Sequence, residues 1–466
     1  MTTSTKPDVD ALIAPNDLTR LFISSTLASM LLPLNSTMIA VALLDIGSEF
    51  DAPPEDLTHA LVVIYLLAGI VTQSPAGKVG DMWGHVRTLA LGRWLFVGAA
   101  ILGVLSPWLF GLSIARAMMA TAGALMIPAT MALLRTHIGP ERRARMFGFF
   151  GSSMMGAAAV GPLVGGVLTE HFGWASVFLA NIPIVAISIV LQPRNLGDTR
   201  PPGERPGIRD FDWFGSVLLG AGLGAVVLVT RNPGTSAIIL GAVGAVLIAW
   251  FIYWEGRVSL PVVDLTLFHH PAFAAGATMI ALQNVAMYAT LFQLPFLLAA
   301  LIDANPSESG IALLAMSGGM VLFAPAGGML SERLGVRRTV AGGALLSIIG
   351  MALLVVVSSV PSLVLITLCV LVFGCGLGLS HGPIQAAALS AAPPEHSGMA
   401  SGVIATLRYV GGVAGMAVLG FLLASDPAGA DLTIHRTAFV VYAVSLVLTL
   451  CLSLAMPRVL GDSREV

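Results

Sequence analysis

This chain is short of charge. Only 10% of its 466 residues are Asp, Glu, Lys or Arg, against 56% hydrophobic. A soluble domain of this size carries far more charge, so the balance points into a membrane. Lysine is nearly absent: apart from Lys6 and Lys78 every basic side chain is arginine or histidine. No basic block resembles a nucleic-acid patch, which removes nucleic acid as a partner. Cys369, Cys375 and Cys451 all lie inside apolar runs, which reads as packing rather than a disulfide or a metal site. His269 and His270 stand at a membrane entry and read as interfacial. A phosphate loop and a His/Glu metal-helix spacing are both missing, so we expect neither an enzyme nor a cofactor.

What is present is a series of long apolar runs. A bilayer crossing needs about 20 apolar residues, and fourteen runs qualify. Residues 1–19 are polar and form a tail. The first run, Leu21–Leu44, exceeds a signal-peptide core and is expected to be a retained helix. Six spans fill 20–193, and 194–210 is a linker rich in proline and charge. Two further spans occupy 211–255, a second connector covers 256–270, six spans fill 271–456, and 457–466 is a tail. An even number of spans puts both termini on one side. That side collects nearly all the loop arginines and both lysines, leaving Arg231 and Arg436 opposite. By the positive-inside rule, both termini are cytoplasmic.

Gly77–Arg87 (GKVGDMWGHVR) returns as Gly328–Arg338 (GMLSERLGVRR). Gly77 aligns with Gly328, Asp81 with Glu332, Gly84 with Gly335 and Arg87 with Arg338. Each copy lies between the second and third spans of its half, which marks a duplicated membrane protein with a matched latch in each half.

With LNSTMIAVALLDI (34–46), RAMMATAGALMIPA (116–129), GAAAVGPLVGG (156–166), WASVFLANIP (174–183), FDWFG (211–215), LTLFHHPAF (265–273) and GMASGVIATLRYVGGVAG (398–415), the chain resembles the major facilitator superfamily, in particular its fourteen-helix drug:proton antiporter branch of bacterial multidrug efflux type. The resemblance implies an all-α membrane protein: two six-helix bundles with two extra transmembrane helices between them. It further implies a functional monomer of the cytoplasmic (inner) membrane that exports small amphipathic molecules, driven by a proton gradient through alternating access. The alternative is a specialised metabolite, nutrient or peptide transporter whose proton coupling is atypical or absent.

Site expectations follow residue by residue. Gly77, Asp81, Gly84 and Arg87, with Glu332, Arg333 and Arg338, form the gating latch, in which a carboxylate holds an arginine across a tight turn. Met82 and His85 stand where the family usually has basic residues. Arg116, deep in the fourth span, implies proton coupling; a buried arginine bonded to backbone is the other reading. Met119 and Ala120 depart there from the usual Gln and Gly. Gly161, Pro162, Gly165 and Gly166 form a conformational hinge of small residues and a bend.

Asn35 stands where the resembling pattern has an acid, and an amide carries no proton. With no carboxylate deep in a span, Asp45 and Glu170 at the outer rims become the candidate proton carriers. His381 is another, since imidazole titrates near neutral pH, or it is a packing histidine. The substrate cavity is expected from Asn35, Gln73, Asn181, Gln283, Asn284 and Tyr288, with Gln293, Gln385 and Arg408, against an apolar wall of Met38, Met119 and Phe292. Arg408 and Arg116 make the interior positive, which favours a neutral or anionic substrate over a dication.

Overall fold

The computed structural model describes residues 15–138, 140–194, 196, 212–231, 235–258, 261–263, 265–392, 397–423 and 431–456. Every regular element among them is helical, as lipid demands: a helix satisfies its own backbone where water cannot. The first half holds α1 (Pro15–Phe50) and α2, which joins Pro54–Leu57, a π segment Thr58–Val63, and Ile64–Trp83. It continues with α3 (His85–Leu105), α4 (Leu109–His137), α5 (Pro140–Phe172) and α6 (Ala175–Leu179 with Asn181–Leu191). An inserted pair follows, α7 (Trp213–Arg231) and α8 (Thr235–Glu255). The second half holds α9 (Pro271–Ile302), α10 (Pro306–Leu334), α11 (Val336–Val357), α12 (Leu363–Ala391), α13 (Ser397–Leu423) and α14 (Leu432–Leu452).

Twelve helices among the described residues are long and apolar enough to cross a membrane. The sequence expectation was fourteen. The other two expected spans are α6, whose Ala175–Leu191 is a shorter apolar helix, and α7, a helix of 19 residues from Trp213 to Arg231. At 1.5 Å per residue α7 comes close to a hydrocarbon core of about 30 Å, while α6 is a few ångströms shorter.

The duplication is visible in backbone geometry. Gly84 (φ 90°) ends α2 and begins α3, and Gly335 (φ 85°) does the same between α10 and α11. A side chain would clash at such φ, which is why glycine occupies both turns. Four residues on, the Thr88 hydroxyl donates to Gly84 O and the Thr339 hydroxyl to Gly335 O, both at 3.0 Å. The α9–α10 turn is fixed differently. Asp303 takes a left-handed conformation, and Asn305 and Glu308 cap α10 reciprocally.

The two halves meet along opposite seams. On one, α5 packs on α10. On the other, α2 meets α13, and α7 lies across both. The inserted pair therefore flanks the bundles. α7 approaches α2 where Gly220 faces Val71, leaving an apolar groove of about 360 Å³ beside Ile64, Leu67 and Ala68. Its near end is tied down by Asp212, whose Oδ1 accepts from Gly215 N and Trp254 Nε1, both at 2.8 Å. Buried Glu255 accepts from Val262 N and Val263 N, both at 3.3 Å, tying α8 to the connector.

Candidate functional site

Four structural groups hold about half of the expected site residues. The first surrounds Arg116 on α4, which is 1% exposed. Its Nε donates to Leu61 O at 2.8 Å, and its Nη1 donates to Asn35 O at 3.2 Å and to Asn35 Oδ1. The guanidinium lies 4.1 Å over the Tyr65 ring, and the Tyr65 hydroxyl donates to Leu32 O at 2.8 Å. Leu61 belongs to the π segment of α2, so that irregular turn lies where the arginine reaches across. A buried cation is thus held by carbonyls, an amide and a ring face, without a carboxylate among the described residues. Asn35 Nδ2 is buried and finds no partner there.

The second group lies between α9 and α12. Gln283 Nε2 donates to the Ser380 hydroxyl at 2.7 Å, and His381 Nδ1 lies 3.2 Å from Gln283 Oε1. Because Oε1 only accepts, Nδ1 carries the proton and Nε2 is left for another partner. The letters Gly378-Leu379-Ser380-His381-Gly382 match a nucleophile-elbow pattern. They lie inside α12, with no strand-to-helix turn, so that chemistry does not apply.

The third group spans the seam. Tyr288 on α9 stands beside Ser36 on α1, with Arg408 on α13 within electrostatic reach. Arg408 also neighbours Tyr409 and His381. Tyr409 packs against Gly69 of α2, and Gly412, one turn beyond Arg408, faces both Tyr288 and Leu66. Tyr288 stacks on Phe292 with ring centroids 6.5 Å apart. Met38, Met119 and Phe292 are all buried in the apolar packing around these groups.

The fourth is the hinge. Gly161 faces Thr37, and a Cβ on Gly165 would come within 2.6 Å of Met38 O, so both pack α5 onto α1. Gly166 faces Pro306 O of α10, while Gly310 of α10 would place a Cβ 2.5 Å from Pro162 O. Backbone meets backbone there because neither side has room for a side chain.

The remaining expected residues lie apart. Gln293 Nε2 donates to His435 O at 3.1 Å, joining α9 to α14. Asn181 and Asn284 donate to carbonyls of their own helices. Gln385 is half-buried on α12, Asp45 is half-buried, and Glu170 is exposed. In the latch, Arg87, Glu332, Arg333 and Arg338 are exposed and make no ion pair among the described residues. The side chains of Gln73, Gly77 and Asp81 lie outside the described residues.

Arg93 is a buried cation that the sequence reading left out. From α3 it donates through Nη1 and Nη2 to Gln192 Oε1, both at 3.0 Å, and through Nη2 to the Ser24 hydroxyl at 2.7 Å. Ser24 and Ser188 exchange hydroxyl-to-carbonyl bonds of 2.7 Å, locking α1, α3 and α6 together. Its position inside an apolar run was the available signal. Outside the spans, Asp431 caps α14 by accepting from Thr433 N at 2.8 Å, which holds its carboxyl below the usual carboxylate range.

Comparison with known proteins agrees with this architecture. The sequence pattern of the Major Facilitator Superfamily matches residues 25–416 and 274–463. The chain is 31% identical to the MFS-type transporter YvkA of Bacillus subtilis (strain 168), over 92% of this chain and 94% of that one. It is 30% identical to the tetracenomycin C resistance and export protein of Streptomyces glaucescens, over 85% of this chain and 74% of that one. It is 26% identical to the riboflavin transporter RibZ of Clostridioides difficile (strain 630), over 82% and 83%. In fold it is similar to a bacterial homolog of the human lysosomal transporter Spinster in an inward-facing, unoccupied conformation. The TM-score is 0.69 at 15% identity, over 95% of this chain and 98% of that one. The chain belongs to the Major Facilitator Superfamily.

Proposed function

We propose that this protein is a proton-coupled exporter of small amphipathic molecules, working as a monomer in the bacterial inner membrane by alternating access. Both termini and both latch loops face the cytoplasm. The observation that carries this reading is the packing of Tyr288 of α9 and Gly412 of α13 against Leu66 of α2, groups of both bundles that meet midway along their seam. A site placed between two rocking bundles is the geometry alternating access requires. The export direction is supported by the similarity to a tetracenomycin C resistance and export protein.

Within this reading α6, α7 and α8 cross the membrane with their neighbours, giving the fourteen-span arrangement of the drug:proton antiporters. The latch pairs Asp81 with Arg87 and Glu332 with the arginines of its own loop when the cytoplasmic side closes. Arg87, Glu332, Arg333 and Arg338, exposed and without an ion pair among the described residues, suit the opposite state, in which the α5–α10 contact is made. Asp45, Glu170 and His381 are the groups through which a proton would pass.

A second reading is favoured by Asn35. An amide beside Arg116 holds no proton, so coupling at that position is lost, and a specialised metabolite carrier with atypical coupling fits. Similarity to a riboflavin transporter supports it. Transport of fluorescent amphiphiles into proteoliposomes under an imposed pH gradient separates the two. Accumulation that collapses with the gradient supports antiport. Accumulation that ignores the gradient in wild type, Asn35→Asp and Asp45→Asn overturns it.

A further inference from the structure

The arginines within the spans differ in how far the protein itself satisfies them. Arg116 is held by Leu61 O, both oxygens of Asn35 and the face of Tyr65. Arg93 has both terminal nitrogens engaged by Gln192 and Ser24. Arg408 is half-buried and makes no hydrogen bond and no ion pair among the described residues; its Nε, like that of Arg93, is buried without a partner. A guanidinium inside a membrane bundle is costly unless something negative or polar meets it. The neighbouring elements supply no anion: α7, α9, α12, α13 and α14 contain neither Asp nor Glu. On α2 the acids lie only at the two ends, Glu55 and Asp56 at one and Asp81 at the other. On α1, Asp45 and Glu49 lie more than two turns beyond Ser36.

We propose that the seam at Arg408 takes an amphipathic organic anion, whose carboxylate, sulfonate or phenolate is bound by that side chain. This rests on the transporter reading and names its substrate class. The phenol of Tyr288 and the free nitrogen of His381 lie within electrostatic reach of the guanidinium and offer further hydrogen bonds. The apolar part of the substrate meets the half-buried ring of Tyr288, which is backed by the buried Phe292. A planar guanidinium fork suits an oxyanion in two-point contact. A lipophilic cation placed here meets an unpaired positive charge and no carboxylate, and like charges in a low dielectric repel strongly.

Two probes of permanent charge isolate the sign: naphthalene-2-sulfonate and N,N,N-trimethyl-2-naphthylammonium. Each is titrated into the purified full chain in detergent while thermal stability is followed. The sulfonate is expected to raise the midpoint saturably in wild type and the ammonium to leave it unchanged. Arg408→Gln should weaken sulfonate binding by about 10- to 100-fold, the loss of one charged hydrogen-bond partner. Arg408→Lys, which keeps the charge and guards against misfolding, should retain part of it. The inference is overturned by an unchanged sulfonate response in Arg408→Gln, by equal stabilisation from the ammonium, or by no response to either probe. Proteoliposome flux separates the two readings. Sulfonate binding without flux removes transport and keeps the anion site. Ammonium flux without sulfonate binding removes the anion site and keeps transport.

Discussion

Gly166 and Gly310 are reciprocal: each faces the backbone carbonyl of the proline four residues before the other, Pro306 for Gly166 and Pro162 for Gly310. The contact closes one end of the seam between α5 and α10. It is made of backbone, so it cannot yield as a flexible side chain would. A Cβ at Gly166 would meet both Pro306 and Ser307. Gly166→Ala should therefore part the helix ends, with overpacking that costs about 1–3 kcal/mol. In a background lacking the native cysteines, a cysteine at Leu163 should react with an impermeant maleimide about tenfold faster in this variant. An unchanged rate would mean the ends were never in contact.

Arg116 suggests a second test, at its neutral partner. The Asn35 amide oxygen accepts from the guanidinium while its Nδ2 is buried without a partner among the described residues. Asn35→Asp removes that orphaned donor and makes the bond charge-assisted. At neutral pH the variant should be more stable than wild type by about 1.5–3 kcal/mol, the range for hydrogen bonds to charged groups. The gain belongs to the ionised acid, so it should be present at neutral pH and lost on acidification, when the carboxyl is as neutral as the amide. Thermal unfolding across a pH series reads this directly; a gain independent of pH would contradict the pairing.

The matched turns at Gly84 and Gly335 give a third. Alanine at either must adopt a φ near +90° or +85°, at a cost of about 1–3 kcal/mol. Gly84→Ala and Gly335→Ala should lower stability by similar amounts because the two turns share one geometry. Gly328→Ala should be near neutral, since a Cβ there meets open space. Thermal unfolding of the three variants side by side is the measurement, and a Gly328 effect as large as the others would refute the geometric argument.

Much of this architecture was legible in the sequence. The twelve long helices follow from apolar length, and the duplicated loop forecast paired glycines whose positive φ the structure displays. Partner choice was less legible. Hydropathy reports the cost of leaving water, not the rotation of a helix. Gln283, Asn284, Tyr288 and Gln293 look alike on α9, yet Gln293 turns to His435 and Asn284 to its own backbone. Likewise Arg116 and Arg408 look equivalent as deep charges. Only the arrangement of Asn35, Leu61 and Tyr65 around the first tells the satisfied arginine from the open one.

The central claim is that the two bundles rock about a site between them, and interspin distances test it most directly. Trp83 and Leu334 are exposed at matched positions just before Gly84 and Gly335, and Phe172 and Ile311 are exposed at the other end of α5 and α10. Spin labels on each pair, measured by double electron–electron resonance across a pH series with and without naphthalene-2-sulfonate, report both ends. The account predicts opposed changes, the 172–311 distance lengthening in the same population where the 83–334 distance shortens. Distances that stay fixed, or that lengthen together at both ends, would contradict alternating access.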